Sequence, residues 1–157
     1  LVRVPLIISW PDRFLKNVQS DALVELRDLA PTVLALAGLD VPERMQARSL
    51  LPILTKTADA GRHRNHVRSE YFHVLPPTDH NDFEGTYATM IRDNRYKLVV
   101  YHGHEIGELF DLQEDPGEFT NLWDEPSHRD VRFRLMKQNL DDLAHAVDIG
   151  PKQTGGF

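Results

Sequence analysis

A chain of 157 residues carries 24 acidic and 18 basic side chains, a net charge of -6, with the two signs interspersed, so no basic stripe marks it for a nucleic acid or an acidic membrane surface. It has no cysteine, which excludes disulfides, thiolate metal sites and a cysteine nucleophile within it, and its 41% hydrophobic content is enough for a core. No apolar run approaches the roughly 20 residues of a membrane span, and no charged-then-apolar leader is present.

The first residue is Leu, and the apolar run Val4 to Trp10 starts almost at once, as expected of a piece cut from something longer. Val2 to Ser9 is rich in branched residues without polar alternation, which predicts a strand buried on both faces, with Pro5 at a start or an edge. Such a strand needs neighbours. Stripped of its sheet, it is expected to pair with a neighbouring chain, a route to self-association, or to lie loosely bound. Trp10-Pro11-Asp12 closes it as a turn, and Arg13 to Glu25 reads as a loop.

Asp28 is placed to cap a helix from Leu29 to Ala37, with Pro31 in the first turn and Gly38 ending it in a left-handed conformation. Ser49 to Leu54 predicts a single helical turn packed by its leucines. The polar stretch Thr55 to Asn65 is the expected boundary.

His66 to Val74 reads as a strand and Leu75 to Gly85 as a surface loop dense in Pro, Asp, Asn and Gly. The centre of the chain is Thr86 to Leu122. There Tyr87, Thr89 and Ile91, then Tyr96, Leu98 and Val100, alternate as in a half-buried antiparallel sheet, and Asp93-Asn94 predicts a two-residue hairpin turn with positive backbone dihedrals. A third strand, Glu108 to Leu112, ends in the turn Glu114-Asp115-Pro116-Gly117. Beyond Pro126 a helix is expected to run to about Val147, its stripe Phe133, Met136, Leu140, Leu143 and Val147 covering the sheet and its charged residues facing water.

Candidate chemistry is sparse. His102-Gly103-His104 places two imidazoles at a strand end near Glu105 and Glu108, and His63 and His66 lie three apart; a turn at Gly103 and the lack of a third ligand at fixed spacing argue against a metal site. Glu70 and His73, three apart on one strand, face opposite sides; with Asp79, His80, Asp82 and Glu84 they form a polar cluster able to line a pocket. No G-x-x-x-x-G-K-[ST] phosphate loop or G-x-S-x-G nucleophile elbow occurs, and neither Ser49 nor Ser69 has a positioned base.

Several stretches, in order, resemble the C-terminal portion of the sulfatase family in the alkaline-phosphatase-like superfamily. They are Arg3 to Ile8 followed by Trp10-Pro11; Asp28-Leu29-Ala30-Pro31-Thr32; Met45-Gln46-Ala47-Arg48-Ser49-Leu50-Leu51-Pro52, with Ala47 where glycine, able to hold a positive dihedral, is usual; Met90 to Leu98; and Gly107 to Leu112 followed by Asp115-Pro116-Gly117-Glu118 and Asn121-Leu122. The resemblance implies an α+β fragment: an antiparallel sheet of about four strands packed by the long final helix, preceded by a strand and a helix left from a catalytic α/β domain. Residues 1–60 would be the remnant of that N-terminal domain, residues 61–157 the C-terminal subdomain, and the missing catalytic domain its partner.

The full-length enzyme would hydrolyse sulfate esters with Ca²⁺ and a formylglycine made in a C/S-x-P-S-R segment, which this chain lacks together with the aspartate metal ligands. What remains open to residues here is the rim of the substrate pocket, with Glu70, His73, His102 and His104 the candidates. Two alternatives stand beside this reading: a phosphonate or phosphate monoester hydrolase of the same superfamily, and a free-standing non-catalytic binding domain.

Overall fold

The computed structural model describes residues 3–73 and 86–146. The predicted loop Leu75 to Gly85 and the end of the helical prediction at Val147 lie outside them. The chain divides into two compact units, residues 1–65 with 144–157, and residues 66–143.

In the first unit, residues 3–10 form no strand, and Ile7 is 89% exposed. The predicted doubly buried strand is thus corrected: a strand is held by hydrogen bonds to neighbours, and among the described residues none pairs with this segment. Helix α1 spans Leu29–Leu36 and the single turn α2 spans Leu51–Leu54. Gly38 ends α1 with φ 70°, the left-handed residue that a side chain would strain.

Asp28 does not cap α1 as expected. The helical run starts earlier, in a 3-10 turn at Leu26–Asp28, and Asp28 closes a capping box back on Glu25. Its fully buried carboxylate accepts the backbone N–H of Glu25 at 2.9 Å and of Arg48 at 2.9 Å, and it pairs with Arg64 and with His63 Nε2 at 3.3 Å. Thr32 Oγ1 donates to the Asp28 carbonyl and accepts from Leu50 N–H. Both sequence motifs of this unit thus converge on one buried carboxylate, paired as a buried charge must be. Ala47 is not among the residues with positive φ, so no glycine is needed there.

The second unit is a four-stranded antiparallel sheet in the order β1 (His66–His73), β2 (Thr86–Asp93), β3 (Tyr96–Tyr101), β4 (Gly107–Asp111). The β2–β3 turn differs from the prediction. Neither Asp93 nor Asn94 has positive φ; instead Asp93 Oδ1 accepts the N–H groups of Arg95 at 2.8 Å and Tyr96 at 2.6 Å. An aspartate that satisfies the turn amides with its own side chain removes the need for a left-handed residue.

Helix α3, Arg129–His145, follows a 3-10 turn at Pro126–His128. It covers the sheet as expected, but with the other face. Leu135 is fully buried against Ile91, Leu98 and Leu109, flanked by Val131, and Asn139 is buried one turn on. The stripe predicted to face the sheet is turned outward, with Phe133 71% and Leu140 64% exposed, and Met136 and Leu143 exposed as well. The sheet face opposite α3 carries Arg68, Thr89 and Asp93 besides its leucines and isoleucine, and it is matched by polar residues of the helix. Gln138 and Asp142 bracket the two ring nitrogens of His66, Arg134 pairs with Asp93, and Asn139 meets Thr89. Complementarity to a partly polar partner outweighs the larger apolar stripe.

Leu135→Ala is expected to lower the stability of the chain by about 2–5 kcal/mol in denaturant unfolding, the range for deleting a buried leucine. Phe133→Ala, at the outward stripe, should change it by no more than about 0.5 kcal/mol, as for an exposed site.

Candidate functional site

At the β1–β2–β3 end away from the hairpin, the strand register lines up two cross-strand rows on the α3 side of the sheet. In the inner row Glu70 lies opposite Thr89, and Thr89 opposite Val100. In the outer row Phe72 lies opposite Tyr87, and the ladder continues with His102 N–H donating to the Tyr87 carbonyl at 2.8 Å. The Phe72 and Tyr87 rings are 5.7 Å apart and both exposed.

A chain of buried polar groups runs into this end. Arg68 Nε–H donates to Asn139 Oδ1 at 2.8 Å, which fixes the amide so that Asn139 Nδ2–H donates to Thr89 Oγ1 at 2.7 Å. Thr89 Oγ1 in turn lies 2.9 Å from His102 Nε2. Thr89 and Asn139 are only 1% and 5% exposed, whereas His102 stands at the surface. Arg68 Nη1 also pairs with Glu70 at 2.8 Å.

Two of the four residues singled out in the sequence, Glu70 and His102, therefore meet through one network. His104 does not join it: it sits in the exposed turn after Gly103, its N–H bonded to the Tyr101 carbonyl. His73 ends β1, and its side chain lies outside the described residues, as do Asp79, His80, Asp82 and Glu84. The 102/104 pair does not converge, since the His102 ring is turned onto Thr89. His63 is engaged with Asp28 and His66 with α3, so that pair does not converge either. Among the described residues no group of three or more His, Asp or Glu could hold a metal ion.

Sequence reasoning missed Thr89, Asn139 and Arg68. Thr89 was read as a strand residue and Asn139 was not singled out, because the predicted buried stripe runs along the other side of the helix.

The motif that carried the family resemblance after β3 is a set of fasteners. Asp111 Oδ2 takes Nε–H and Nη2–H of Arg95 at 2.9 and 2.8 Å, while its Oδ1 accepts the N–H of Gln113. Asp115 accepts the Thr120 N–H at 2.8 Å, and Glu118 pairs with Lys97. Asn121 Oδ1 accepts from Leu109 and Trp123 N–H while its amide donates to the Gly107 carbonyl, all at 3.0 Å. Any Cβ on Gly107 would run into the Trp123 ring. Tyr101 donates to Glu108 Oε1 at 2.7 Å, and that bond, with burial, raises the phenol above its usual value.

A family model described as "N-sulphoglucosamine sulphohydrolase, C-terminal" matches residues 1–146. The chain belongs to the sulfatase family, as a C-terminal portion. Human arylsulfatase K is 31% identical over 155 residues, covering 95% of this chain and 26% of its own length. The N-acetylglucosamine-6-O-sulfatase of Bacteroides thetaiotaomicron is 30% identical over 139 residues, covering 86% and 24%. Among solved structures, a 2-O GAG sulfatase aligns with TM-score 0.59 and 31% identity, over 77% of this chain and 25% of that one. The phosphonate monoester hydrolase of Silicibacter pomeroyi aligns with TM-score 0.64 and 31% identity, over 78% and 25%. This sulfatase portion thus spans about a quarter of the length of the relatives it matches.

The sulfatase motif makes a pH prediction. The Arg95 guanidinium hydrogen-bonded to Asp111, aided by backbone N–H donors, holds this carboxyl below its usual value against the effect of burial. A carboxyl depressed in the folded state contributes stability above its unfolded pKa of about 3.9, and loses it as pH falls through the lower folded value. Asp111→Asn should therefore destabilise the chain at neutral pH and flatten the acid-side loss in urea unfolding as pH falls below about 4; an unchanged acid slope would remove Asp111 from this role.

Proposed function

We propose that this chain is the non-catalytic C-terminal subdomain of a sulfuric ester hydrolase acting on a sulfated sugar, and that it forms the rim of the substrate pocket. The observation that carries the reading is the family match across residues 1–146, supported by relatives named for a sugar sulfate. In this reading residues 1–60 are the remnant of the catalytic domain and residues 61–157 the subdomain proper. Ca²⁺ and formylglycine supply the chemistry in the remainder of a full-length polypeptide. The described residues do not fit either group, because no acidic or imidazole cluster could hold an ion and the chain has neither cysteine nor a Ser-x-Pro-Ser-Arg segment.

The partner is then the rest of the same polypeptide, which relatives four times longer supply. Two apolar surfaces suit it. One is the outward stripe Phe133, Met136, Leu140 and Leu143 of α3. The other is a groove of about 390 Å³ in the first unit, lined by Leu6, Ile8, Leu15, Val18, Leu50 and Ile53. Exposed apolar surface of this kind marks an interaction site. Candidate rim residues are Glu70 and His102, with His73 and His104 as neighbours in sequence. A phosphonate monoester hydrolase is the second reading, favoured by the structural likeness to the Silicibacter pomeroyi enzyme.

Turnover separates the readings. The chain alone should hydrolyse neither an aryl sulfate nor an aryl phosphonate with Ca²⁺ present, while the full-length polypeptide turns over the sulfate faster. Turnover of the sulfate by this chain free of contaminants would overturn the non-catalytic assignment, and preference of the full-length protein for the phosphonate would favour the second reading.

A further inference from the structure

The row Phe72–Tyr87–His102 differs from the other exposed apolar surfaces. The stripe on α3 is mainly aliphatic, whereas here two adjacent exposed rings stand beside an imidazole hydrogen-bonded to the buried Thr89. Cross-strand neighbours stand about 4.8 Å apart, so a row over three strands spans about 10 Å.

The buried chain behind His102 has a directional consequence. The Arg68 guanidinium can only donate, so Asn139 Oδ1 faces it and Asn139 Nδ2–H donates to Thr89 Oγ1. The buried Thr89 hydroxyl then has one described acceptor within reach for its own proton, His102 Nε2 at 2.9 Å. In the neutral ring the remaining proton then sits on Nδ1, and no described residue hydrogen-bonds that atom. His102 is thus pinned at one nitrogen and presents the other as a donor beside two exposed aromatic rings. Pinning α3 to the sheet accounts for Asn139 and Thr89, but it needs neither the ring pair nor the surface imidazole.

We propose that Phe72, Tyr87 and His102 form a shelf that binds the pyranose ring of a sugar. The rings take its C–H face, and His102 Nδ1–H donates to a ring hydroxyl or an ester oxygen. Thr89 and Asn139 are positioning residues that set the tautomer and orientation of His102. This deepens the sugar-sulfate reading above and rests on it for the ligand class; the shelf recognises the sugar rather than the sulfate, because the rings carry no positive charge and His102 alone contributes one donor.

The test is NMR titration of the isotope-labelled chain with glucosamine 6-sulfate, glucosamine and inorganic sulfate in turn. The shelf predicts saturable shifts of the Phe72 and Tyr87 ring signals and of the His102 imidazole with both sugars, and none with sulfate alone. Affinity should fall about two- to tenfold in Tyr87→Ala, the scale of one lost aromatic contact, and in Tyr87→Leu, which keeps apolar bulk should the alanine variant fold poorly. Phe119→Ala, a change at an exposed ring elsewhere in the unit, should bind as the wild type. The His102 nitrogen spectrum should show the Nδ1–H tautomer, and Asn139→Leu should mix the tautomers. Equal shifts with inorganic sulfate would make this an anion site and overturn the proposal, as would a folded chain whose shelf signals respond to neither sugar. Since no turnover is measured, either failure is distinct from failure of the sulfatase reading, which turnover by the full-length protein decides.

Discussion

The second unit depends on two consecutive turns of one helix face. Leu135 fills the space between Ile91, Leu98 and Leu109, and Asn139 places its amide between Arg68 and Thr89. The leucine contributes about 1.5–3 kcal/mol, the worth of a fully buried side chain. The asparagine supplies the register. Sliding α3 by one turn, about 5.4 Å, would leave Asn139 and Thr89 buried without partners, at about 1–3 kcal/mol each. One apolar and one polar contact thus decide which face of α3 meets the sheet, and with it which residues are left at the surface.

That choice has consequences on both sides of the helix. Inward, it delivers a satisfied polar chain to the strand end, where His102 and Glu70 emerge beside Phe72 and Tyr87. Outward, it leaves the larger apolar stripe in water, where an isolated globular domain would not keep it. The motifs that identify the family lie at neither place. Asp28, Thr32 and Arg48 are joined around one buried carboxylate, and Asp111, Asp115, Glu118 and Asn121 fasten the exit from β4. These positions close tight turns with their own side chains, a demand few residue types meet, which is why they are recognisable in a single sequence.

The same distinction explains what could be read from the chain. Period-two alternation in Tyr87 to Ile91 and Tyr96 to Val100 pointed to the face that carries Thr89, Ile91 and Leu98, because strand geometry is local, but β2 is not half-buried as expected: Ala88 and Met90 on its other face are buried too, and Tyr87 is exposed. Asp28 was recognised as a helix-start residue but assigned the wrong partners, since the 3-10 turn before it moves the start. Val2 to Ser9 had the composition of a buried strand, yet a strand exists only through its neighbours. The helix was legible and its orientation was not: counting apolar residues favours Phe133 to Leu143, and only the polar groups on the sheet, Arg68 and Thr89, favour the other side. The site shared this difficulty. Glu70 and His102 stood out by residue type, whereas the groups that link them come from strands and a helix far apart in sequence.

Hydroxyl-radical footprinting of α3 tests the central claim, that this sulfatase portion covers its own sheet with the side of the helix that carries Leu135 and Asn139, together with the proposal that the outward stripe docks on the rest of the polypeptide. In the chain alone Phe133 and Met136 should be modified readily while Leu135 is spared, and in the full-length protein Phe133 and Met136 should become protected. Protection of Phe133 and Met136 in the monomeric chain, with Leu135 modified, would contradict the helix orientation; equal modification in chain and full-length protein would contradict the docking.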